Sequence, residues 1–396
     1  MNKFQIDAIR KVPMYRYLLL LSIASAIAFQ GWRTLFNNFA VDEIGLNGFN
    51  VGFIQSVREI PGFLSLLVVY LLLIFKEHRL SAYSILTLGL GVLLTGFFPS
   101  YFGLAATTLI MSVGFHYFET TNQSLTLQYF DRLQAPVVFA RIRSISAISN
   151  IAVGLGIFIT ASFLTFKNQY LIIGLAAVGI AIWALLKNPV DNSLPAQHKK
   201  MILRKKYWLF YVLNLLSGAR RQIFVVFAVF LLVKKYDFSI QEITVLFVLN
   251  NIIAYFFNPL IAKGINKFGE RKILSMEYAS LFIIFLAYAF LENRWIVAGL
   301  YIFDHIFFNF SIAIKTFFQK TADPQDIAPS MGMAFTINHL TAVVIPVVGG
   351  ALWLIDWQIP FIAAAVLSLV SLYFAQKIRI PEQEAEVIPK APVGQQ

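Results

Sequence analysis

Arg33-Thr34-Leu35-Phe36-Asn37-Asn38-Phe39-Ala40-Val41 reads against Arg221-Gln222-Ile223-Phe224-Val225-Val226-Phe227-Ala228-Val229, 188 positions further on. Arginine, two phenylalanines, alanine and valine recur at identical spacing. The same offset carries Arg79 to Lys267, Pro136 to Pro324 and Asn150 to Asn338. Agreement at one offset across four separate regions marks a chain built from two similar halves.

Working outward from this pair, both copies sit in long apolar surroundings. Hydrophobic residues make up 58% of the chain and charged residues 13%, against roughly 25% charged in an ordinary soluble domain. Tyr17–Ala28, Phe63–Phe75, Leu171–Leu186 and Phe361–Phe374 contain no charge. With their semi-polar flanks they approach the ~20 residues that a bilayer-crossing helix needs. Apolar blocks between charged or Pro/Gly-marked turns give twelve predicted spans, near 15–42, 50–75, 80–98, 101–131, 136–165, 169–187, 207–233, 239–262, 272–291, 295–321, 328–355 and 358–378. The expected fold is an all-α membrane protein of two pseudo-symmetric six-helix bundles, residues 1–187 and 207–380. Residues 188–206 form the one long polar linker, with Lys199, Lys200, Arg204, Lys205 and Lys206. The tail 381–396, rich in proline and glutamate, reads as disordered.

The formal charge is +12. Its excess lies in loops on one side, so it reads as an orientation signal and not as a nucleic-acid surface. Lys76, Arg79, Arg132, the linker, Lys263 to Lys272, Lys377 and Arg379 share that side. The expected setting is a bacterial inner membrane, multi-pass, with both termini cytoplasmic. The leading residues Met1–Pro13 read as a short cytoplasmic lead. The chain has no cysteine, which excludes disulfides and thiolate metal sites. No phosphate-binding glycine loop ending in Lys-Ser/Thr is found, and no nucleophile motif, so neither an enzyme nor an ATP-driven pump is expected.

Asn266-Lys267-Phe268-Gly269-Glu270-Arg271-Lys272 follows the eighth span. It resembles the cytoplasmic-loop signature of the major facilitator superfamily, with Asn266 in place of the usual aspartate. The matching first-half loop, Glu77-His78-Arg79-Leu80-Ser81, keeps the basic position alone. Exporters of that family often carry Gly-Pro-Gly in the fifth span, whereas this chain has Gly154-Leu155-Gly156. The resemblance implies a twelve-helix transporter whose first, fourth, seventh and tenth spans line a central cavity. It also implies gating roles for Arg79, Lys267, Gly269 and Arg271.

At 3.6 residues per turn those four spans each present a polar stripe. Gln30, Arg33 and Asn37 align in the first, and Asn214, Ser217 and Arg221 in the seventh. His116, Glu119, Thr120 and Gln123 align in the fourth, and Asp304, Ser311 and Lys315 in the tenth. Arg33 and Arg221, equivalent in the two halves, suit a carboxylate or phosphate, because the guanidinium fork matches such groups bidentately. The bland account pairs each arginine with an acidic neighbour, such as Arg33 with Glu59 or Glu119. Substrate contact is therefore expected from Gln30, Arg33, Asn37, His116, Gln123, Asn214, Arg221 and Lys315. Reversible protonation is expected at Glu119 or Asp304. Arg58 and Glu59, neighbours on one helix and about 100° apart, read as a gate that cannot simply neutralise itself. A metal set of His116, Glu119, Asp304 and His305 is chemically conceivable. The surrounding cations argue against a bare cation, so neither metal nor cofactor is expected.

Duplicated halves with a midplane site are a common transporter design. The leading reading is a monomeric, proton-coupled symporter of an organic anion, such as a siderophore, sugar phosphate or carboxylate. Its partners would be that small molecule, protons and lipid, without nucleic acid. A proton-antiport exporter of amphiphilic compounds and a non-transporting receptor on the same scaffold are the alternatives.

Overall fold

The computed structural model describes residues 9–46, 48–191, 193–195, 203–238 and 240–380. The expected tail, the start of the lead and the linker's Lys199 and Lys200 fall outside these residues. Twelve helical segments follow in order. They are α1 (Pro13–Asn38), α2 (Gly48–Phe63), α3 (Glu77–Thr95), α4 (Tyr101–Tyr129), α5 (Gln134–Thr160), α6 (Phe166–Leu185), α7 (Trp208–Ile223), α8 (Ile240–Phe268), α9 (Glu270–Phe290), α10 (Arg294–Phe308), α11 (Ile327–Ile355) and α12 (Ile359–Ala375). Three run on through tighter or wider turns: α2 to Leu71, α7 to Lys234 and α10 to Thr321.

Local chemistry sets several boundaries. Ser100 caps α4 by accepting the Gly103 amide at 3.1 Å, and Asn293 caps α10 by accepting the Trp295 amide at 2.9 Å. Prolines start α1 and α12, where the missing N–H costs nothing. Pro61, inside α2, precedes a 3-10 stretch at Leu64–Leu67. The duplicated motif repeats in three dimensions as well. A π-helical turn, Phe39–Glu43, ends α1, and another, Phe224–Ala228, follows α7.

Among the described residues, nine helices are long and apolar enough to cross a bilayer, and Ile359–Ala375 is a shorter apolar helix. The sequence predicts twelve such spans. The shortfall at α4 has a physical reason: Thr107, Thr108, Ser112, His116, Thr120 and Thr121 are buried inside the protein. A helix with its polar face covered by protein needs less overall hydropathy than one ringed by lipid.

Packing repeats between the halves. α1 packs on α5 and α6, as α7 does on α11 and α12; α3 packs on α4 and α6, as α9 does on α10 and α12. Two glycines bring α3 and α4 close together. A Cβ on Gly91 would meet the Met111 backbone, and one on Gly114 would meet the Leu88 amide and the Ser84 carbonyl. Backbone cannot rotate aside, so the helices would have to part. Gly114→Val is therefore expected to cost at least the ~1–3 kcal/mol of ordinary overpacking. It should appear as a lowered melting temperature and a lost monodisperse peak in detergent size-exclusion chromatography. Gly179→Ala, whose Cβ meets nothing within 4 Å, should leave both unchanged.

The halves join through α2 with α11, α4 with α11, and α5 with α8 and α10. Their hydrogen bonds gather toward the end that carries the linker. Gln319 donates to the Leu127 and Phe130 carbonyls at 2.8 and 2.6 Å. Arg132 donates to the Lys320 carbonyl at 3.1 Å, and Asn266 to that of Leu133 at 2.8 Å. Ser144 reaches the Tyr255 carbonyl at 3.0 Å. These hydrogen bonds between the halves lie in the linker-end part or near mid-depth. The protein is closed at the linker end.

Candidate functional site

Three arginines from three helices meet where the halves face each other. Arg33 on α1 points across to the second half, its guanidinium carbon 5.9 Å from the Phe247 ring centroid on α8. It lies within electrostatic range of Arg58 on α2 and Tyr301 on α10. Arg221 on α7 lies in range of Glu59 and Arg58. Among the described residues neither Arg33 nor Arg221 forms an ion pair. The account that pairs them with Glu59 or Glu119 therefore fails in this arrangement.

Toward the linker end the cationic lining continues. Lys315 on α10 stands 5.3 Å from the Phe139 ring centroid on α5 and within electrostatic range of Arg143, Glu119 and Arg221. Arg143 donates to both the carbonyl and Oδ1 of Asn309, at 3.0 and 2.9 Å. Arg33, Arg58, Arg143, Arg221 and Lys315 thus face two carboxylates, Glu59 and Glu119. Arg143 and Asn309 form a closing contact.

Other predicted residues land variously. Gln123 is buried and donates to Glu119 at 3.4 Å, and His116 bonds Ser112 at 2.9 Å. Gln30 bonds Thr34 on its own helix at 3.2 Å. The Asn214 amide turns back to the Phe210 carbonyl at 2.8 Å, and its own carbonyl accepts from Asn338 at 3.4 Å. The side chain of Asn37 lies outside the described side chains. In the signature loop Arg79 and Lys267 are exposed, Gly269 takes φ +78° before α9, and Arg271 bonds Gln376 at 3.2 Å. The cross-half bond from that loop comes from Asn266, and Glu270 is buried against Lys320 at 2.6 Å.

Two expectations are corrected. Arg58 and Glu59 do pair, at 2.5 Å. Their Cβ atoms diverge, but the arginine stem is long enough to curl back around the helix. The metal set His116, Glu119, Asp304 and His305 is not assembled. The acidic and imidazole groups that converge are Glu59, His116 and His339, with ligand atoms within 4.8 Å of one another.

Asp304 is buried inside the second half with Arg220 and Glu277 around a small cavity whose lining also includes Arg221. Arg220 lies 3.8 Å from Glu277, 4.3 Å from the Tyr278 ring centroid and in contact with Ser371. One oxygen of Asp304 and one of Glu277 have no partner. Sequence reasoning missed Glu277, although a lone glutamate in the apolar run of α9 is itself a signal.

The chain's likeness to known proteins matches this arrangement. No curated protein matches the sequence. Solved structures do match in fold: the human organic anion transporter MFSD10, at 14% identity and TM-score 0.70, covers 93% of this chain and 99% of its own. The E. coli fucose:proton symporter FucP gives 14% identity and TM-score 0.72, with 93% and 98% covered. A bacterial homologue of the iron transporter ferroportin, outward-facing, gives 12% and 0.74, with 92% and 98% covered. At such identities the likeness concerns the fold. The family model for the Major Facilitator Superfamily matches residues 18–344. With twelve helices in two similarly packed halves around a charged cavity, the chain belongs to the Major Facilitator Superfamily and is a multi-pass secondary transporter, not an enzyme.

Proposed function

We propose that this transporter carries an organic anion by proton symport, with residues 1–187 and 207–380 rocking as two domains about the cavity. The observation that supports this reading is the excess of Arg33, Arg58, Arg143, Arg221 and Lys315 over Glu59 and Glu119, with Arg33 and Arg221 in no ion pair among the described residues. Arg33 is exposed and Arg221 half-buried, so both guanidiniums are open to an incoming oxyanion, which their planar forks can bind bidentately. MFSD10 is an organic anion transporter and FucP a fucose:proton symporter, and both agree with this reading. Basic loops gathered at the linker end support a cytoplasmic position for it. On that orientation the cavity, closed at the linker end, serves the outward-facing stage of the cycle.

The drive is assigned to the buried carboxylates of the second half. Glu277 and Asp304 line one small cavity with Arg220 and Arg221. Glu277 pairs with Arg220, whereas Asp304 has no ion-pair partner among the described residues, which makes it the better proton carrier. Arg220 and Arg221 are consecutive on α7. The first pairs with Glu277, and both line the small cavity that holds the carboxylates, so a shift of α7 on anion binding disturbs the proton site.

A thermal-shift screen of the purified protein tests the substrate class, since a ligand stabilises the state it binds. Carboxylates and phosphate esters are expected to raise the melting temperature where neutral and cationic analogues do not. In proteoliposomes an imposed pH gradient should then drive accumulation of the selected anion without nucleotide. A requirement for ATP, or stabilisation by the organic cationic analogues alone, would sink the reading.

A further inference from the structure

We propose that Glu59, His116 and His339 form a binding site for a first-row divalent transition-metal ion between the two halves. The three come from α2, α4 and α11, two helices of the first half and one of the second. His339 Nδ1 stands 3.2 Å from Glu59 Oε2, and the two imidazole centroids are 4.7 Å apart at 84°. Both histidines are buried.

Four details favour a metal over mere packing. First, His116 Nδ1 lies 2.9 Å from the Ser112 carbonyl, which can only accept. The proton is thereby held on Nδ1, and the lone pair sits on Nε2, as in ligand histidines fixed by a carbonyl partner. Second, that Nε2 and His339 Nδ1 face the same bare stretch of α2. A Cβ on Gly62 would sit 2.8 Å from the one and 2.6 Å from the other. Third, Glu59 divides its oxygens: Oε1 takes Arg58 and Oε2 turns to His339. The arginine acts as an outer partner that orients the carboxylate and leaves the second oxygen for an ion. Fourth, the spacing is close to what coordination needs. Ligand atoms about 2.0–2.1 Å from a tetrahedral ion are roughly 3.4 Å apart. Glu59 and His339 already meet this, and the 4.8 Å limit of the set closes by side-chain rotation.

Two imidazoles and a carboxylate suit zinc, cobalt, iron or nickel and not the oxygen-seeking calcium or magnesium. Three protein ligands leave positions open. Arg58 and Arg221 oppose an added positive charge, so an anion in an open position would tighten binding; this last clause rests on the anion reading above. Because ligands come from both halves, the ion would hold them in the closed arrangement described here.

Cobalt(II) is the probe of choice, added to tag-free protein in detergent and in buffer without coordinating anions. One equivalent per chain is expected, with visible absorption of low-symmetry cobalt, displacement by zinc and a raised melting temperature. His116→Gln, His339→Gln and Glu59→Gln should each weaken binding by roughly tenfold or more, while their metal-free melting shows that they fold. His339→Cys keeps a ligand and should retain cobalt with a new thiolate charge-transfer band. No cobalt bound by the wild type at this stoichiometry would overturn the proposal, as would equal binding by the three glutamine variants. Both outcomes are independent of whether any organic anion is carried. Repeating the titration with the anion from the thermal-shift screen tests only the tightening.

Discussion

Arg33→Ala and Arg221→Ala are each expected to weaken binding of the anionic substrate by roughly thirtyfold or more. The figure follows from losing a desolvated charged hydrogen bond, about 2–5 kcal/mol by analogy with buried pairs at interfaces. The two arginines are equivalent in the halves, and both stand without an ion-pair partner among the described residues. Removing either should therefore spare the fold, since no carboxylate is left orphaned. Lysine should rescue only partly, because it keeps the charge and loses the planar fork. Arg58→Ala makes the contrasting case. It releases Glu59 from its 2.5 Å pair, so it should lower thermal stability as well as affinity. Isothermal titration of the purified variants, read beside their melting curves, separates the two effects. Wild-type affinity in both the Arg33 and Arg221 variants would remove these residues from the substrate site.

Asp304→Asn is expected to abolish uptake driven by a pH gradient while anion exchange between two sides at equal pH continues. Amide for carboxyl keeps the shape and hydrogen-bonding reach, and it takes away the proton that can come and go. The buried triad then holds Arg220 and Glu277 as a balanced pair, fixed whatever the pH. Glu277→Gln should impair coupling too, but less cleanly, because it breaks the 3.8 Å pair with Arg220. Arg220→Ala would leave two carboxylates without their cation and should lower the yield of folded protein. Counterflow and gradient-driven uptake, measured on the same vesicles, give the ratio that matters. Full gradient-driven uptake by both carboxylate variants would move the coupling role to Glu119, beside Arg143 and Lys315. Glu119→Gln then becomes the decisive variant.

The amino-acid sequence by itself determined the membrane class, the duplication and the family, because these depend on properties that add up along the chain. Apolar run length sets which segments leave water, and a repeat at one offset needs no contact to be seen. The Arg33 and Arg221 stretches therefore marked the two halves before any helix was placed, and each proved to carry a π-helical turn, Phe39–Glu43 and Phe224–Ala228. Stripes at helical spacing were nearly as legible: Arg33, Arg221, Glu119 and Lys315 all come to the space between the halves. Tertiary structure alone decided which charge answers which. Asp304 lies on the same helix as Lys315, yet the 3-10 turn Asn309–Ser311 separates them, and Asp304 is buried beside Arg220 and Glu277. Arg58 and Glu59 pair although their directions on an ideal helix diverge. Glu59, His116 and His339 stand up to 280 residues apart and meet only because α2 and α11 pack across the halves. Side-chain periodicity specifies a direction from one helix axis, whereas a site is made where directions from several axes cross. Those crossings depend on close approaches such as Gly62 against the two imidazoles, which no single helix encodes.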